Sequence, residues 1–316
     1  MVETKVDVFL HTLGRAAENR GVLLLGVCNV TPDSFSDGGE HLSVRDACAH
    51  VDRLVDEGAD MIDVGGESTR PGAAAVPAGE QLARVLEVVR HAARRVPTSI
   101  DTTNAGVADA CLEAGACAVN DVSCARSREL LHAVARHGAA YFLMHARGTQ
   151  EEMVGFSNYP DDAYGDVVID VLGEWSEAAG RAREAGVPSN GIVMDPGLGF
   201  AKNARQSAEL LRRLAEIVSA SPSPVLVGAS RKSFLQTWDS SADPKERLGA
   251  SLAAALYAAG AGAKMLRVHD VRATRQALDT FRGLTPRPVD TERSLVDESA
   301  EGGASHSLED ADTGEP

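Results

Sequence analysis

The segment Val22-Leu-Leu-Leu-Gly-Val-Cys-Asn-Val-Thr-Pro-Asp-Ser-Phe-Ser-Asp-Gly-Gly39 contains the pattern that decides the fold. Residues 22–28 are a short apolar run, which is typical of a strand buried on both faces. Asn29 ends the run, and the turn-forming residues that follow predict an exposed loop around Phe35. A helical pattern comes next, at 43–57. The segment therefore predicts a strand, a loop and a helix in that order.

The same unit repeats along the chain. Apolar runs occur at 22–28, 61–64, 98–101, 117–120, 140–144, 191–195, 224–228 and 264–268. Helical patterns lie between and after them, at 43–57, 79–95, 105–114, 126–137, 161–185, 203–219, 244–259 and 271–281. Strands that alternate with helices form a parallel sheet with crossover helices. Eight such units predict a single (β/α)8 TIM barrel of the α/β class.

An open, doubly wound sheet is the alternative architecture, and about 250 residues would suit either fold. The residues at the ends of the apolar runs favour the barrel. Polar or chemically capable side chains stand at these points, at Asn29, Asp63, Asp101, Asn120, His145, Asp195, Ser230 and His269. A barrel brings the carboxyl ends of all its strands to one face, where such enzymes carry out their chemistry.

The composition limits the class of protein. The chain has 316 residues, of which 44% are hydrophobic and 24% charged, and its mean hydropathy is −0.13. These values predict a soluble globular protein with no membrane partner. The start of the chain has no basic segment followed by an apolar core, so we expect a cytoplasmic protein. Five cysteines without a C-x-x-C pair predict neither a disulfide framework nor a zinc site.

The charge is unevenly distributed. The net charge is −15, and residues 289–316 supply −8 of it, with nine acidic residues against one arginine. This acidic balance argues against a nucleic-acid partner. The last segment lacks aromatic residues and is rich in Ser, Gly, Asp and Glu, which predicts disorder. We therefore divide the chain into an N-terminal extension at 1–21, a catalytic barrel at 22–283 and a disordered acidic tail at 284–316.

Two segments predict an anion site at the barrel mouth. Residues 65–72 offer backbone N–H groups, the hydroxyl of Thr69 and the guanidinium of Arg70, a donor set suited to phosphate. Arg267 and His269 lie two residues apart at the end of the eighth strand, so both face the same side. The segments 195–202 and 228–233 lack the glycine spacing of a dinucleotide fingerprint and of a P-loop, so no such nucleotide site is predicted.

Four other polar residues predict a nitrogen heterocycle as ligand. Asp101 and Asp195 can only accept hydrogen bonds when ionised, so they suit a ligand rich in N–H groups. Asn120 supplies a donor and an acceptor, and Lys232 can donate to a ring oxygen or nitrogen. A 2-amino-4-oxo heterocycle that carries a phosphorylated arm would satisfy both groups of residues.

The ordered motifs resemble those of the dihydropteroate synthase family of folate biosynthesis. The resemblance covers about residues 23–282 and rests on the segments 29–39, 65–72, 99–102, 120–122, 144–145, 195–202, 230–233 and 267–271. It implies a transferase on a pterin-binding TIM barrel. The implied reaction joins 4-aminobenzoate to 6-hydroxymethyl-7,8-dihydropterin diphosphate and releases pyrophosphate and 7,8-dihydropteroate, with Mg²⁺ on the diphosphate.

The resemblance also implies roles for individual residues. Those implied to hold the pterin are Asp101, Asn120, Met144, Asp195 and Lys232. Those implied to hold the diphosphate are Thr69, Arg70, Arg267 and His269, with Asn29 as a ligand of Mg²⁺. The implied 4-aminobenzoate pocket consists of Phe35, Pro71, Phe200, Lys232 and Ser233. Arg70, Lys232, Arg267 and His269 are the implied catalytic residues, a homodimer is the implied assembly, and sulfonamides are implied inhibitors.

The sequence departs from the family pattern at three positions. Ala201 and Cys124 stand where glycine is common, and Ala146 stands where methionine is common. These changes leave open a specialised copy or a non-catalytic pterin-binding paralogue. A pterin-dependent methyltransferase on a similar barrel is a further alternative, although Arg70, Arg267, His269 and Asn29 of the implied diphosphate site are all present.

Overall fold

The computed structural model describes residues 3–31, 44–67, 76–148, 159–240, 243–244 and 246–284. These residues contain the strands β1 Leu23–Asn29, β2 Met61–Gly65, β3 Thr98–Asp101, β4 Ala118–Asp121, β5 Ala140–Met144, β6 Ile192–Asp195, β7 Leu226–Val227 and β8 Met265–Val268. They also contain the helices α1 Lys5–Arg20, α2 Val44–Asp56, α3 Ala78–Ala93, α4 Ala105–Glu113, α5 Arg128–His137, α6 Val167–Glu184, α7 Ala204–Arg212, α8 Leu214–Ala220, α9 Leu248–Gly260 and α10 Val271–Leu284. Each observed strand lies within two residues of the bounds predicted from the sequence.

All neighbouring strands are parallel, in the order β6-β5-β4-β3-β2-β1-β8-β7. The two outer strands of this order meet through a single bridge between Met194 and Val225. There the N–H of Met194 donates to the carbonyl of Pro224 at 2.9 Å. The sheet therefore closes on itself. This closure confirms the predicted (β/α)8 barrel and excludes the open sheet.

The barrel interior changes character along its axis. Side chains alternate between the two faces of each strand, so residues two apart share a face. Near the amino ends of the strands the inward side chains form an apolar layer of Leu23, Leu25, Met61, Ala118, Ala140, Phe142, Val193, Leu226 and Met265. The next inward positions toward the carboxyl ends are polar. Asp63, Ser99, Asp101, Asn120, Asp195 and Arg267 stand there on β2, β3, β4, β6 and β8.

Helix α1 seals the amino end of the barrel. Thr4 and Asp7 form a capping box at its start, and Gly21 ends it with a left-handed φ of 79°. Its inward residue Phe9 is fully buried and lies 5.3 Å, between ring centroids, from Phe142 of β5. The stretch predicted only as an N-terminal extension therefore contains a helix that packs on the core.

The outer helices pack on the other face of the sheet, with three differences from the predicted pattern. The helix predicted over 244–259 begins at Leu248, four residues later than predicted. The helix predicted over 203–219 is interrupted at Arg213, whose φ of −98° and ψ of 23° separate α7 from α8. The helix predicted from 161 begins at Val167, because Asp166 caps it by accepting from the N–H groups of Val168 and Ile169.

The remaining predictions concern the domain boundaries, the tail, membrane-spanning helices and the cysteines. Residues 1–279 form one compact unit, and a second unit covers 280–316. The predicted tail lies outside the described residues except for Leu284. No helix among the described ranges is both long enough and apolar enough to cross a bilayer. The five cysteines are free, and four of them are buried.

Candidate active site

The barrel mouth is organised around Asp63, which is fully buried in β2. One carboxylate oxygen accepts from Ser99 Oγ at 2.6 Å. The other accepts from Asn120 Nδ2 at 2.9 Å and from Arg267 Nε at 2.7 Å. Because the amide nitrogen of Asn120 is turned toward Asp63, its oxygen is the atom left for a ligand. Asp63 thus sets both the orientation of Asn120 and the position of Arg267.

Arg267 joins two carboxylates across the mouth. Its Nη2 donates to Asp101 Oδ2 at 2.8 Å, in addition to the bond from Nε to Asp63. Burial raises the pKa of Asp101, and the nearby guanidinium of Arg267 opposes that shift. Within the described part of the chain, the buried Oδ1 of Asp101 has no hydrogen-bond partner. A buried acceptor in this state suits a ligand N–H group.

Asp195 stands at the end of β6, where it is 5% exposed. Its Oδ1 accepts from the N–H of Gly197 at 2.7 Å, a bond that does not use Oδ2. Burial raises the pKa of this carboxyl, while the positive charge of Lys232 opposes the change. Asp195 therefore offers an acceptor on the opposite side of the mouth from Asp101.

Lys232 connects the pterin residues to the predicted 4-aminobenzoate pocket. Its Nζ donates to the carbonyl of Leu198 at 2.6 Å and lies 4.7 Å from the centroid of the Phe200 ring. Burial lowers the pKa of Lys232 to about 8. Ser233 follows directly, and its buried Oγ has no partner among the described residues. Lys232 thus lies beside Phe200 and precedes Ser233 in the chain, and the 4-aminobenzoate pocket stays a prediction.

His269 is placed near Arg267, but it carries no charge in the free protein. Its Nδ1 lies 3.1 Å from Ser230 Oγ, and its backbone N–H donates to the same oxygen at 3.2 Å. Burial and the positive charge of Arg267 lower the pKa of His269 to about 3. The ring is therefore neutral, and neither bond uses Nε2. His269 can meet an anion as an N–H donor.

Asn29 ends β1 beside Gly65 of β2. Its Oδ1 lies 3.4 Å from the point that a Cβ on Gly65 would occupy, and the Asp101 carboxylate lies 3.8 Å from the same point. That carboxylate oxygen, Oδ2, already accepts from Arg267 Nη2, so the amide oxygen of Asn29 is the ligand left for Mg²⁺, an ion that prefers oxygen ligands and keeps several water or phosphate ligands. Asn29 therefore fits the expected ion as one of its ligands.

The remaining predicted site residues are less fully placed. Met144 ends β5, is buried, and shares the inward face of the strand with Phe142. Four predicted residues lie outside the described part of the chain: Phe35, Thr69, Arg70 and Pro71. Their predicted roles in the diphosphate and 4-aminobenzoate sites stay predictions.

His145 follows a strand end, but its side chain does not point into the barrel mouth. Although it follows β5 directly, its ring turns outward, and Nε2 lies 3.0 Å from Glu174 Oε2 on α6. Its Nδ1 lies 2.8 Å from Lys202 Nζ. The expectation that all eight strand ends would contribute side chains to one face is therefore wrong for His145. A residue just past a strand end can face either way, and here Glu174 and Lys202 hold the ring outward.

The two departures from the family's glycines coincide with unusual backbone. Ala201 has φ 47° and Cys124 has φ 61°, both in the left-handed region where glycine is favoured. Ala201 is held there by its carbonyl, which accepts from Tyr164 Oη at 2.9 Å. Both positions therefore adopt the left-handed backbone that glycine favours, although neither residue is glycine.

The comparisons with known proteins agree with this geometry. The family described as "Pterin binding enzyme" matches residues 25–269, so the fold and site define a pterin-binding barrel enzyme. A dihydropteroate synthase from Escherichia coli is 42% identical over 257 residues, covering 81% of this chain and 89% of that protein. The chain belongs to the dihydropteroate synthase family of transferases, as its motifs predicted.

Solved structures of the family have the same fold. A Xanthomonas albilineans dihydropteroate synthase with 4-aminobenzoic acid has a TM-score of 0.77 and 40% identity, covering 84% of this chain and 94% of that one. A Yersinia pestis dihydropteroate synthase with a sulfonamide drug complex has a TM-score of 0.76 and 38% identity, covering 83% and 94%. The shared architecture extends over nearly the whole length of each relative.

Proposed function

We propose that the protein condenses 6-hydroxymethyl-7,8-dihydropterin diphosphate with 4-aminobenzoate to give 7,8-dihydropteroate and pyrophosphate. The observation that carries this proposal is the convergence of buried polar groups on one mouth. Asp101, Asn120 and Asp195 present acceptors there, and Lys232 presents a donor. Arg267 and His269 add N–H groups for an anion.

The polarity of these groups matches a pterin ring. A 2-amino-4-oxo ring presents several N–H donors on one edge, and the carboxylates of Asp101 and Asp195 can accept from them without competition from water. The amide oxygen of Asn120 faces the ligand because its nitrogen is held by Asp63. Lys232 donates to the ring oxygen or nitrogen. A purely apolar heterocycle would leave these buried groups unsatisfied.

The reaction breaks one bond and forms another at the pterin methylene. The carbon–oxygen bond breaks with its electron pair going to pyrophosphate, and the dihydropterin ring delocalises the positive charge left on the methylene. The lone pair of the arylamine nitrogen then forms the new carbon–nitrogen bond, and that nitrogen loses a proton. The arylamine is itself a competent nucleophile, so we infer no covalent enzyme intermediate.

The protein acts mainly on the leaving group. Preorganised donors stabilise negative charge as it develops, and this term is usually the largest in such a step. Arg267 Nη1 is not used in the bonds to Asp63 and Asp101, and Arg70 and Thr69 are proposed as further donors. His269 contributes an N–H rather than a charge. Asn29 would hold Mg²⁺, which when bound offsets charge on the diphosphate.

The second substrate would lie beside Phe200, Lys232 and Ser233, with Phe35 and Pro71 as proposed further walls. The X. albilineans relative is solved with 4-aminobenzoic acid, and the Y. pestis relative with a sulfonamide drug. Sulfonamides present an arylamine and an acidic group at similar spacing, so a pocket that admits 4-aminobenzoate would need an added clash to reject them. We propose inhibition competitive with 4-aminobenzoate, tested by initial rates over a grid of sulfamethoxazole and 4-aminobenzoate concentrations.

One assay separates this function from its alternatives. Purified protein is given the pterin diphosphate with and without 4-aminobenzoate, and pyrophosphate release and dihydropteroate are measured. A synthase releases pyrophosphate and forms product when both substrates are present. A non-catalytic paralogue binds the pterin without turnover, and a pterin-dependent methyltransferase releases no pyrophosphate. Chelation of Mg²⁺ in the same assay tests the proposed ion.

We also propose that two copies associate through a face made by Trp238, which follows the turn Ser233–Thr237, and Tyr257 of α9. Trp238 and Tyr257 line the same surface and are 62% and 51% exposed. Exposed large apolar groups that cluster on one face favour a protein partner. Light scattering of Trp238→Lys should show a monomer. The control Ile169→Lys changes an equally exposed residue on α6 and should leave the assembly unchanged.

We propose that the protein is cytoplasmic. The described cysteines are free and mostly buried, which suits a reducing compartment. The substrates implied by the site are small and polar. Fractionation of cells that express the tagged full chain tests this placement.

A further inference from the structure

Lys202 is a buried cation that the reaction above does not use. It is 1% exposed, yet its Nζ lies among neutral acceptors. These are Nδ1 of His145 at 2.8 Å, the carbonyl of Phe200 at 3.0 Å and the carbonyl of Gly197 at 3.2 Å. Burial lowers its pKa to about 7. Burying an amine this deeply is costly, so its retention calls for a physical reason.

The acceptors of Lys202 belong to two different elements. Gly197 and Phe200 lie in the loop that follows β6, whereas His145 follows β5. The loop lies so close to β5 that a Cβ on Gly197 would be 2.0 Å from the carbonyl oxygen of His145, and Gly197 has φ 69°. The ammonium therefore ties the β6 loop to the end of the neighbouring strand.

A ring of side chains, called the Lys202 clamp below, completes this link between the loop and the strand: Lys202, His145, Glu174, Arg147 and Tyr164. Glu174 holds the far side of the His145 ring at 3.0 Å and accepts from Arg147 Nε at 2.9 Å. The guanidinium of Arg147 stacks 3.8 Å from the centroid of the Tyr164 ring. Tyr164 Oη then donates to the carbonyl of residue 201, next to Lys202. The ring begins and ends on the β6 loop.

The loop held in this way carries the contacts of Lys232. The carbonyl of Leu198 accepts from Lys232 Nζ at 2.6 Å, and the Phe200 ring lies 4.7 Å from the same nitrogen. Both groups lie between Gly197 and Lys202 in the chain. A shift of the loop would move one wall of the arylamine pocket directly, whereas the pterin residues Asp101 and Asn120 lie on β3 and β4. Asp195 ends β6 and would lose only the bond that it accepts from the N–H of Gly197.

We propose that Lys202 is a positioning residue for the arylamine pocket, holding the loop against His145 so that Phe200 and the Leu198 carbonyl are fixed around Lys232. The inference rests on the proposed function, because the pocket is the proposed site of 4-aminobenzoate. It assigns Lys202 no contact with substrate. Its effect should therefore fall on the second substrate more than on the first.

The test compares Lys202→Met with wild type in steady-state assays. Met keeps the length of the side chain and removes the donor. The KM for 4-aminobenzoate and the inhibition constant of sulfamethoxazole should both rise at least about tenfold, the scale of a lost charged hydrogen bond. The KM for the pterin diphosphate should change less than about threefold. Equal changes in both KM values, or none, would overturn the proposal.

A second variant tests the same proposal without changing the buried lysine, in case Lys202→Met does not fold. Glu174→Gln weakens the support of His145 from the half-exposed side of the clamp and should give a smaller effect in the same direction. Glu177→Gln, one turn further along α6 and exposed, is the matched control and should behave as wild type. If Glu174→Gln gives the same kinetic constants as Glu177→Gln, the clamp does not position the pocket.

Hydrogen exchange provides a readout that does not depend on activity. Amides of residues 197–201 should exchange faster in Lys202→Met, with β3 and β4 unchanged. A wild-type protein that makes no dihydropteroate would contradict the proposed function and, with it, the arylamine role of the clamp. A wild-type protein that makes dihydropteroate, with Lys202→Met unchanged in both exchange and KM for 4-aminobenzoate, would overturn this inference alone.

Discussion

The two ends of the barrel are built from the same strands but bury opposite kinds of side chain. At the amino end, Phe9 of α1 packs on Phe142 among apolar neighbours. At the carboxyl end, two strand positions further on, Asp63 and Asp101 are buried and their charges are paired with that of the partly buried Arg267. The first end gains stability from apolar burial, whereas the second accepts the cost of buried polar groups for the sake of binding.

This difference follows from the barrel's geometry. All inward side chains of the parallel strands point at the barrel axis. Inward residues two apart on a strand lie in successive layers of the interior, so an apolar residue followed two positions later by a polar one places an apolar layer next to a polar layer. Residues of the N-terminal layer mainly stabilise the fold, and residues of the C-terminal layer form the site of the chemistry. Four experiments test how sharply the two layers are separated.

Arg267→Met should lower both the stability of the fold and the affinity for substrate, because this residue of the barrel mouth also pairs with buried carboxylates. It leaves Asp63 and Asp101 as buried carboxylates without their cation, which costs about 3–5 kcal/mol of unfolding free energy. The family role predicts a loss confined to the diphosphate substrate, but the pairing predicts weaker binding of a pterin without the diphosphate as well. Denaturant unfolding and calorimetry with both ligands measure this. Intact affinity for the bare pterin would show that Arg267 acts on the anion alone.

Phe9→Ala should affect only stability. Removing a fully buried ring costs about 3–5 kcal/mol. At a temperature where the variant stays folded, kcat and both KM values should match wild type, since the apolar layer lies between Phe9 and the mouth. Glu18→Ala on the exposed side of α1 is the control for changes in the helix itself. A changed KM in folded Phe9→Ala would show that the two layers are coupled.

Asp195→Ala should weaken substrate binding and have little effect on stability. The pterin N–H groups lose a charged acceptor, which costs about 1.5–3 kcal/mol of binding, or roughly 10- to 150-fold in affinity. The melting temperature should change little, because removing a carboxyl whose charged form is disfavoured by burial offsets the loss of the acceptor of the Gly197 N–H. Calorimetry and thermal unfolding of the same samples check both parts. Wild-type pterin affinity in the folded variant would remove Asp195 from the site.

The pH dependence of activity should be set on its alkaline side by Lys232. Its pKa is lowered to about 8, so the ammonium is present below that pH and lost above it. We expect kcat/KM for the pterin diphosphate to fall by up to about tenfold per pH unit above that value. Because the unfolded lysine keeps its proton to higher pH, this group's contribution to folding stability rises over the same interval. Lys232→Arg, which stays charged, should lose the alkaline decline even if its rate is lower.

Much of the fold could be predicted from the sequence, because the repeat of strand and helix constrains topology strongly. The strands were placed within two residues, and the barrel followed from the strand ends. Helix α1 was missed because the partners of Phe9 and Val6 come from strands far along the chain, and only the closed barrel provides a surface for them. The break at Arg213 has no glycine or proline to signal it.

The site was predicted less completely, for reasons of side-chain direction. Asp101, Asn120 and Asp195 end their strands on the inward face, so alternation places them correctly in the mouth. Asp63 was named only among the strand-end residues and was given no role in the site. Its position as a charged residue inside an apolar run is the signal that could have pointed to that role. His145 was expected with the others and faces outward, since its partners Glu174 and Lys202 lie 29 and 57 residues away in the chain.

The single bridge between Met194 and Val225 gives the barrel a seam. β7 has two residues, so few backbone bonds join this pair of strands compared with the others. Asp195 lies on one side of the seam and Lys232 on the other, so a pterin held by both would act as a staple across the gap. Ligand at 100 times its Kd adds about 2.7 kcal/mol to the stability of the folded state. The bound substrate would then link β6 and β7, the pair of neighbouring strands with the fewest backbone hydrogen bonds, and local opening between them would be most frequent when no substrate is bound.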